Sequence, residues 1–534
     1  MFRALIRKEI EKIVPKGAVF SVERQENPEH GDYSSNAALV LAKKDGKNPK
    51  EVAAEIKKAL GNLVSKWVDK IEIAGPGFLN FWISRGALIE NLSIFLRKGE
   101  RFSKREGVGA HRLRWVKTER NGKRETSKKI NIEFVSANPT GPLTMANGRG
   151  GFYGDALANI LEAIGHEVTR EYYINDTGNQ IKLLGESILA AAGKIEQKDE
   201  YYKGAYVKKL KGKTAKQAAA ILLGEIKKSL KKAGIKFDVW FSEDKNLRKT
   251  GELEKVLKFL NSKKLIKEKE GALWLRDAVV IKSNKEPTYF LADLAYHYDK
   301  FIKRKFDLAI NVWGADHHGY VERMKKGIEA LGVSPDRLKI IIMQLVRLTS
   351  GGKEVKMSKR AGEFVTLDNL LKKVGVDAAR WFFLERSPDT HMDFDFDLAK
   401  ERSKKNPVYY VQYATARCNS ILRKSEARSA KSERGKGGEV NLQLLSKPEE
   451  LSLIKKILQL PEIIEDIAND YQIHRLPRYA YELAKTFTDF YEKHRVVDSK
   501  NPDLTATRLL LVSATQKTIK ITLSLMGIDT PSRM

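Results

Sequence analysis

The chain runs to 534 residues, 42% of them hydrophobic, enough for three or four domains with substantial cores. Lys and Arg number 98 against 68 Asp and Glu, and this surplus of 30 favours a polyanionic partner, nucleic acid first, although a lysine-rich or heat-adapted proteome produces the same surplus. The lone cysteine, Cys418, excludes a disulfide framework and a multi-cysteine zinc site, and no run of 18 uncharged apolar residues is present to cross a membrane.

The opening MFRALIRKEIEKIVPKG carries Glu9 and Glu11 where a signal peptide would need an apolar core. It reads as a charged amphipathic helix over 1–14, and the expected compartment is the cytosol. A helix over 48–64 and the strand-like IEIAGPGFLNFWIS complete a small α+β unit at 1–105. Residues 101–129 are basic and weakly periodic, a linker (106–129) or an exposed basic hairpin. From 130 the pattern turns α/β: a strand at 130–136, a loop, a helix at 148–165 and the strand HEVTREYYI make one βαβ unit. Residues 180–270 read as an insertion, mostly lysine-rich helix, ending in strand-like GALWLR. A second α/β stretch follows, with strands LAINVWG (308–314) and LKIIIMQLVRL flanking a helix. From about 400 only helical spacing remains, in four runs, the first two separated by SEARSAKSERGKGGEVN, a loop without a core pattern. The fold class is therefore multidomain α/β: a Rossmann-type parallel-sheet domain at 130–400, a small α+β N-terminal domain and an all-α domain at 401–534.

Two segments point to phosphate chemistry. NPTGPLTMANGR (138–149) is a glycine-proline loop between a strand and a helix, where backbone N–H groups and a helix N-terminus can receive an anion. Asn147 there reads both as the helix N-cap and as a ligand contact, and the two roles are compatible. In SGGKEVKMSKRAGEFVTL (350–367), two glycines precede Lys356, Lys359 and Arg360. Three cations on a short loop repel one another until a polyphosphate neutralises them, and lysine ammoniums on flexible stems can follow a moving phosphate. Taken alone, this segment reads equally well as an exposed basic turn.

Together the two segments resemble the paired signatures of class I aminoacyl-tRNA synthetases. The strings EFVSANPTGPL, EYYINDTGNQI, YFLADLAYHYDKF, INVWGADHHGYVERM, RAGEFVTL and NPVYYVQYA narrow the resemblance to the arginyl-tRNA synthetase family. The likeness spans nearly the whole chain, from HGDYSSNAALVLAK to MGIDTPSRM. It implies an arginine–tRNA ligase that condenses arginine with ATP, brought as its Mg2+ complex, to arginyl-adenylate. The arginyl group then passes to the 3'-terminal ribose of tRNA(Arg), and the family generally needs tRNA present for activation. A monomer with no tightly bound protein metal is expected. His317 and His318 beside Asp316 look like metal ligands, but no third and fourth ligand stand at helical spacing.

By the same resemblance, ATP is expected on Pro139, Gly141, Thr144, Asn147, Gly148, Lys356, Met357, Ser358 and Lys359, with Thr144, Asn147, Lys356 and Lys359 doing the catalytic work. Arginine falls to Glu133, Ser136, Asn138, Tyr289, Asp293, Asp316 and His317. Asp293 and Tyr289 would hold the guanidinium, whose five N–H donors need planar acceptors, and their i, i+4 spacing puts both on one helix face. Tyr289 as a core aromatic and Asp293 as a cap are the plainer alternatives. The resemblance assigns tRNA contacts to Phe78 and Asn80 in GPGFLNF and to Tyr409, Tyr410 and Tyr413 in the C-terminal anticodon-binding bundle, with at least one of those tyrosines in the core. One departure matters: the family's first signature is His-x-Gly-His after NPTGPL, and here Thr144 and Asn147 stand at the histidine positions. Either other donors stabilise the charge that develops on ATP, or the chain is a non-catalytic tRNA-binding or regulatory paralogue.

Overall fold

The computed structural model describes residues 2–63, 66–99, 119–120, 123–124, 127–351, 353–354, 365–431 and 440–534. Lys356, Met357, Ser358, Lys359 and most of the basic 101–129 segment lie outside the described residues.

The first helix, α1 (Phe2–Glu11), buries Phe2, Ile6 and Ile10 at a spacing of four and covers an antiparallel sheet. That sheet contains β1 (Val22–Arg24), β2 (Tyr33–Ser35), β3 (Val68–Ala74) and β4 (Phe78–Ile83) in the order β1-β2-β4-β3.

The central domain is a five-stranded parallel sheet. Its members, in chain order, are β5 (Lys129–Glu133), β6 (Glu167–Ile174), β7 (Val239–Ser242), β8 (Leu308–Gly314) and β9 (Leu338–Met343), with helix α2 (Met145–Ala163) crossing from β5 to β6. The spatial order β9-β8-β5-β6-β7 places the first strand in the middle, so successive connections leave it in opposite directions. The crevice between the carboxyl ends of β5 and β8 is the topological switch point where open α/β sheets bind ligands. Helix α3 (Tyr289–Tyr298) leads into β8 and continues as a π-helical turn, Asp299–Lys303.

Three expectations need correction. The 180–270 region is not an insertion throughout, because β7 lies within it and pairs with β6 as the sheet edge. The strand expected over 130–136 stops at Glu133, since Val135 and Ser136 turn left-handed at φ 66° and 37°. A β-branched residue pays for that conformation, and such strain clusters at functional sites. The helix expected from Gly148 begins at Met145, and its N-cap is Thr144 rather than Asn147.

The C-terminal bundle holds α4 (Pro407–Lys431), α5 (Pro448–Asp470), α6 (Arg475–Lys493) and α7 (Pro502–Leu525). Helix α5 also seats the N-terminal domain: buried Glu462 accepts the Tyr33 hydroxyl at 3.0 Å, and Asp466 pairs with Arg24 at 3.0 Å. Buried Arg380 joins the bundle to the central domain, donating to Asp155 at 2.8 Å and to the Met526 carbonyl at 3.0 Å. Gly527 is required there, since a Cβ would stand 2.3 Å from the guanidinium and φ is +68°.

Candidate active site

The phosphate side of the crevice is built mainly from backbone. Thr144 and Asn147 form a reciprocal capping box: the Asn147 N–H donates to Thr144 Oγ1 at 3.4 Å, and the Thr144 N–H donates to Asn147 Oδ1 at 2.9 Å. The Thr144 hydroxyl also donates to Asn147 Oδ1 at 2.9 Å, so its proton is committed within the box. The amide nitrogen of Asn147 has no hydrogen-bond partner among the described residues and is the side-chain donor left at this helix start. Pro139 and Gly141 are buried within the loop, where Tyr206 donates to the Thr140 carbonyl at 3.1 Å. Gly148 lets the helix approach closely, since a Cβ there would meet Leu367 at 2.8 Å.

The chain on either side of the lysine loop is anchored to this scaffold. Met145 N–H donates to the Val365 carbonyl at 3.1 Å, and Leu367 N–H donates to the Leu143 carbonyl at 2.9 Å, so the segment leaving the loop is paired with the glycine-proline loop. On the approach, Asp397 accepts the Gly351 N–H at 2.7 Å and the Ser350 hydroxyl at 3.1 Å. Those donors hold its carboxyl below the usual range. Arg149, unnoticed in the sequence, is buried and donates to the carbonyls of Gln344, Ser387 and Thr390 at 2.6, 2.8 and 2.9 Å, and burial lowers its pKa to about 10.

The amino-acid side is a dense set of charges on α3 and the sheet. Asp293 accepts the Tyr320 hydroxyl at 2.7 Å. Burial, reinforced by Glu133 and Glu243 nearby, pushes its carboxyl up to about 7 against the pull of Tyr320 and Lys300. Glu133, at the end of β5, pairs with Lys300 at 2.9 Å rather than standing free for the substrate's amino group. Glu171 on β6 is fully buried and takes Arg304 in two bonds, one of 2.9 Å, and the Tyr296 hydroxyl at 2.5 Å. Burial alone would raise the Glu171 carboxyl, but Arg304, Lys300 and Tyr296 hold it below the usual range. Glu243 pairs with Arg248 at 2.7 Å and accepts the Tyr173 hydroxyl at 2.8 Å.

His297 supplies no charge. Burial and Lys300 lower it to about 3, so it is neutral, donating through Nδ1 to the Asp293 carbonyl at 2.8 Å and accepting through Nε2 from Asn311 at 3.0 Å.

The other expected arginine contacts are less embedded. Tyr289 is 52% exposed at the first turn of α3, one turn before Asp293. Ser136 Oγ accepts the Tyr173 N–H at 3.1 Å, and the Asn138 carbonyl accepts the Thr140 N–H at 2.7 Å. Asp316 and His317 sit on a 3-10 turn after β8, with side chains 80% and 54% exposed and 3.6 Å apart. No group of three or more metal-binding side chains occurs among the described residues.

On the RNA side, Phe78 is 38% exposed at the edge of β4, while Asn80 is only 5% exposed and faces inward. Tyr410 packs on the bundle core with its hydroxyl on Thr488 at 3.1 Å. Tyr409 is half-buried, and Tyr413 lies under Arg417 at 5.0 Å.

Three family models partition the chain: "Arginyl tRNA synthetase N terminal domain" matches 1–83, "tRNA synthetases class I (R), catalytic domain" matches 113–200 and 188–403, and "DALR anticodon binding domain" matches 411–534. The arginine–tRNA ligase of Carboxydothermus hydrogenoformans is 42% identical over 548 residues, covering 96% of this chain and 94% of its own. The chain belongs to the arginyl-tRNA synthetase family. The Geobacter sp. arginine–tRNA ligase is 41% identical over 572 residues, covering 100% and 99% of the two chains. The fold matches Thermus thermophilus arginyl-tRNA synthetase with a TM-score of 0.76 over 100% of both chains at 21% identity. In this fold the Thr144–Asn147 box caps α2, and Asp293 stands on α3 close to Glu133 at the switch-point crevice.

Lys300, Arg304, Glu171, Tyr320 and Arg149 were not picked out from the sequence. Lys300 and Arg304 sit in DKFIKRK, which reads as a solvated charge run. Their spacing of seven and eleven from Asp293, along one helix face, is the only signal the sequence offers.

Proposed function

We propose a division of labour for this arginine–tRNA ligase. The guanidinium of arginine docks on Asp293, beside Tyr289 and Tyr320, while Ser136, Asn138, Asp316 and His317 frame its α-amino and carboxylate ends. ATP enters as its Mg2+ complex, and the ion screens the triphosphate charge. Lys356 and Lys359 neutralise the phosphates, and Met357 and Ser358 complete the nucleotide contacts. The Asn147 amide and the backbone N–H groups at the start of α2 face the α-phosphate. A carboxylate oxygen of arginine attacks the α-phosphorus in line, the bond to the bridging oxygen breaks, and pyrophosphate leaves with arginyl-adenylate formed. A ribose hydroxyl at the 3' end of tRNA(Arg) then attacks the activated carbonyl, and AMP departs.

Such a displacement depends on positioning and charge stabilisation rather than proton transfer, so an imidazole is replaceable by an amide donor. The exposed ring of Phe78 and the tyrosines of α4 are the stacking surfaces offered to unpaired bases, with Asn80 behind Phe78. The enzyme acts as a cytosolic monomer.

The observation that supports this reading most is the buried acidic site on α3, whose Asp293 lacks a cation among the described residues and suits a guanidinium. The deciding experiment is arginine-dependent exchange of pyrophosphate into ATP with tRNA present. Exchange is expected with arginine and not with lysine. Tight tRNA binding without exchange would instead make the chain an RNA-binding paralogue.

A further inference from the structure

Three buried carboxylates around the crevice each have a cation, whereas half-buried Asp293 and Asp176 have none among the described residues, Asp176 being held by the Ser242 hydroxyl and the Asp244 N–H. Glu133 has Lys300, Glu171 has Arg304 and Glu243 has Arg248, whereas Asp293 has only the Tyr320 hydroxyl among the described residues. Lys300 makes this count come out. Its side chain is 0% exposed, with Nζ 2.9 Å from Glu133, 3.1 Å from Asn311 Oδ1 and 4.1 Å from the centre of the Tyr296 ring. Stability does not explain a lysine there, because a buried ion pair is commonly no better than an apolar pair of the same volume. It is also wired to the backbone of Asp293. Asn311 accepts from Lys300 and donates to His297, which donates to the Asp293 carbonyl.

We propose that Lys300 is a specificity-setting positioning residue: by neutralising Glu133 it leaves Asp293 as the carboxylate of this cluster without a cation among the described residues, so the pocket aims a monocation at Asp293. This rests on Asp293 being the guanidinium acceptor. The groups that face Asp293 are Lys300 and neutral His297 on its own helix, Glu133 from β5, Glu243 after β7 and Tyr320 from the turn after β8. Removing the ammonium leaves Glu133 unopposed, which favours a protonated Asp293 and weakens binding of a cation at neutral pH.

The test is the KM for arginine in tRNA-dependent pyrophosphate exchange by the full chain, followed from about pH 6 to about pH 8.5 across the range where carboxyl and imidazole shifts are read. Lys300→Met is expected to move the acid limb up by about one unit, read as about fivefold higher KM near pH 7. Glu133→Gln, which keeps shape and leaves the ammonium unpaired, is expected to move the limb down. The double variant is expected to return it to that of the unmodified chain. A limb that stays in place in the folded Glu133→Gln variant, or one that is displaced in the folded double variant, overturns the proposal, even if Lys300→Met alone fails to fold. Asp293→Asn separates the two layers. If it leaves the KM for arginine intact, the acceptor assignment is wrong; if it abolishes arginine use while the other variants leave the limb unmoved, only the role of Lys300 falls.

Discussion

The two halves of the crevice are built on opposite plans. On the amino-acid side, side chains from α3, β5, β6 and β8 interlock, and most charged groups have a fixed partner. On the phosphate side, little is fixed beyond a capped helix start, and the cations expected there belong to a separate loop anchored at both flanks. A planar guanidinium that must be told from other cations calls for acceptors held in place before it arrives. A triphosphate that changes geometry as it reacts calls for donors aimed at where charge develops, and backbone N–H groups with one amide can supply part of that. Thr144 and Asn147 fall in the half where side-chain identity matters less.

If that contrast holds, the largest loss comes from Asp293→Ala. Truncating one partner of a buried charge pair costs about 2–5 kcal/mol, so arginine-dependent exchange should fall by two to four orders of magnitude, mostly in KM. Retained tight binding of arginine, measured by calorimetry, would place the guanidinium elsewhere.

Asn147→Asp probes the other half. An aspartate keeps the oxygen that receives the Thr144 N–H and so preserves the cap, but it removes the amide donor and sets a negative charge beside the phosphates. Thermal stability should hold, whereas the rate of arginine activation should fall by about 10²–10³, the usual effect of losing one donor to a developing anion. Asn147→Ala loses both functions, and adds about 1 kcal/mol of destabilisation from the broken cap. A rate within twofold of the unmodified chain in both variants would mean that backbone and lysines suffice.

How far the sequence discloses these plans depends on what kind of fact is asked for. Long periodic segments were legible: β8 spans the 308–314 expected for it, and four helices stand where four helical runs were read. Strand β7 was not, because four residues, VWFS, between lysine-rich helices offer no period to count. Thr144 was read for its missing imidazole and not for its place before a helix, so the cap was assigned three residues late. Asp293 was reached through family resemblance. Lys300 was missed because burial of a lysine depends on which carboxylate the fold brings opposite it, and Glu133 lies 167 residues away.

The gentlest test of the contrast is pH. Asp293 titrates near 7 in the free protein, while a bound guanidinium would hold it ionised. Binding of arginine therefore releases a proton below and around that value, and affinity should rise about tenfold from pH 6 to pH 8 before levelling off. His297 cannot produce this rise, since at about 3 it is already neutral throughout the range. Calorimetry in two buffers of different ionisation heat would count the proton directly. Tyr320→Phe sharpens the assignment further: it deletes the hydroxyl that favours the charged carboxylate, so the midpoint should move up and the arginine KM at neutral pH should rise by about tenfold. Among the described residues the phosphate side has no comparable titrating group, and the KM for ATP should stay flat over the same interval. A profile in which ATP and arginine follow pH together would mean the two halves share a proton, and the division between a wired pocket and an open one would have to be redrawn.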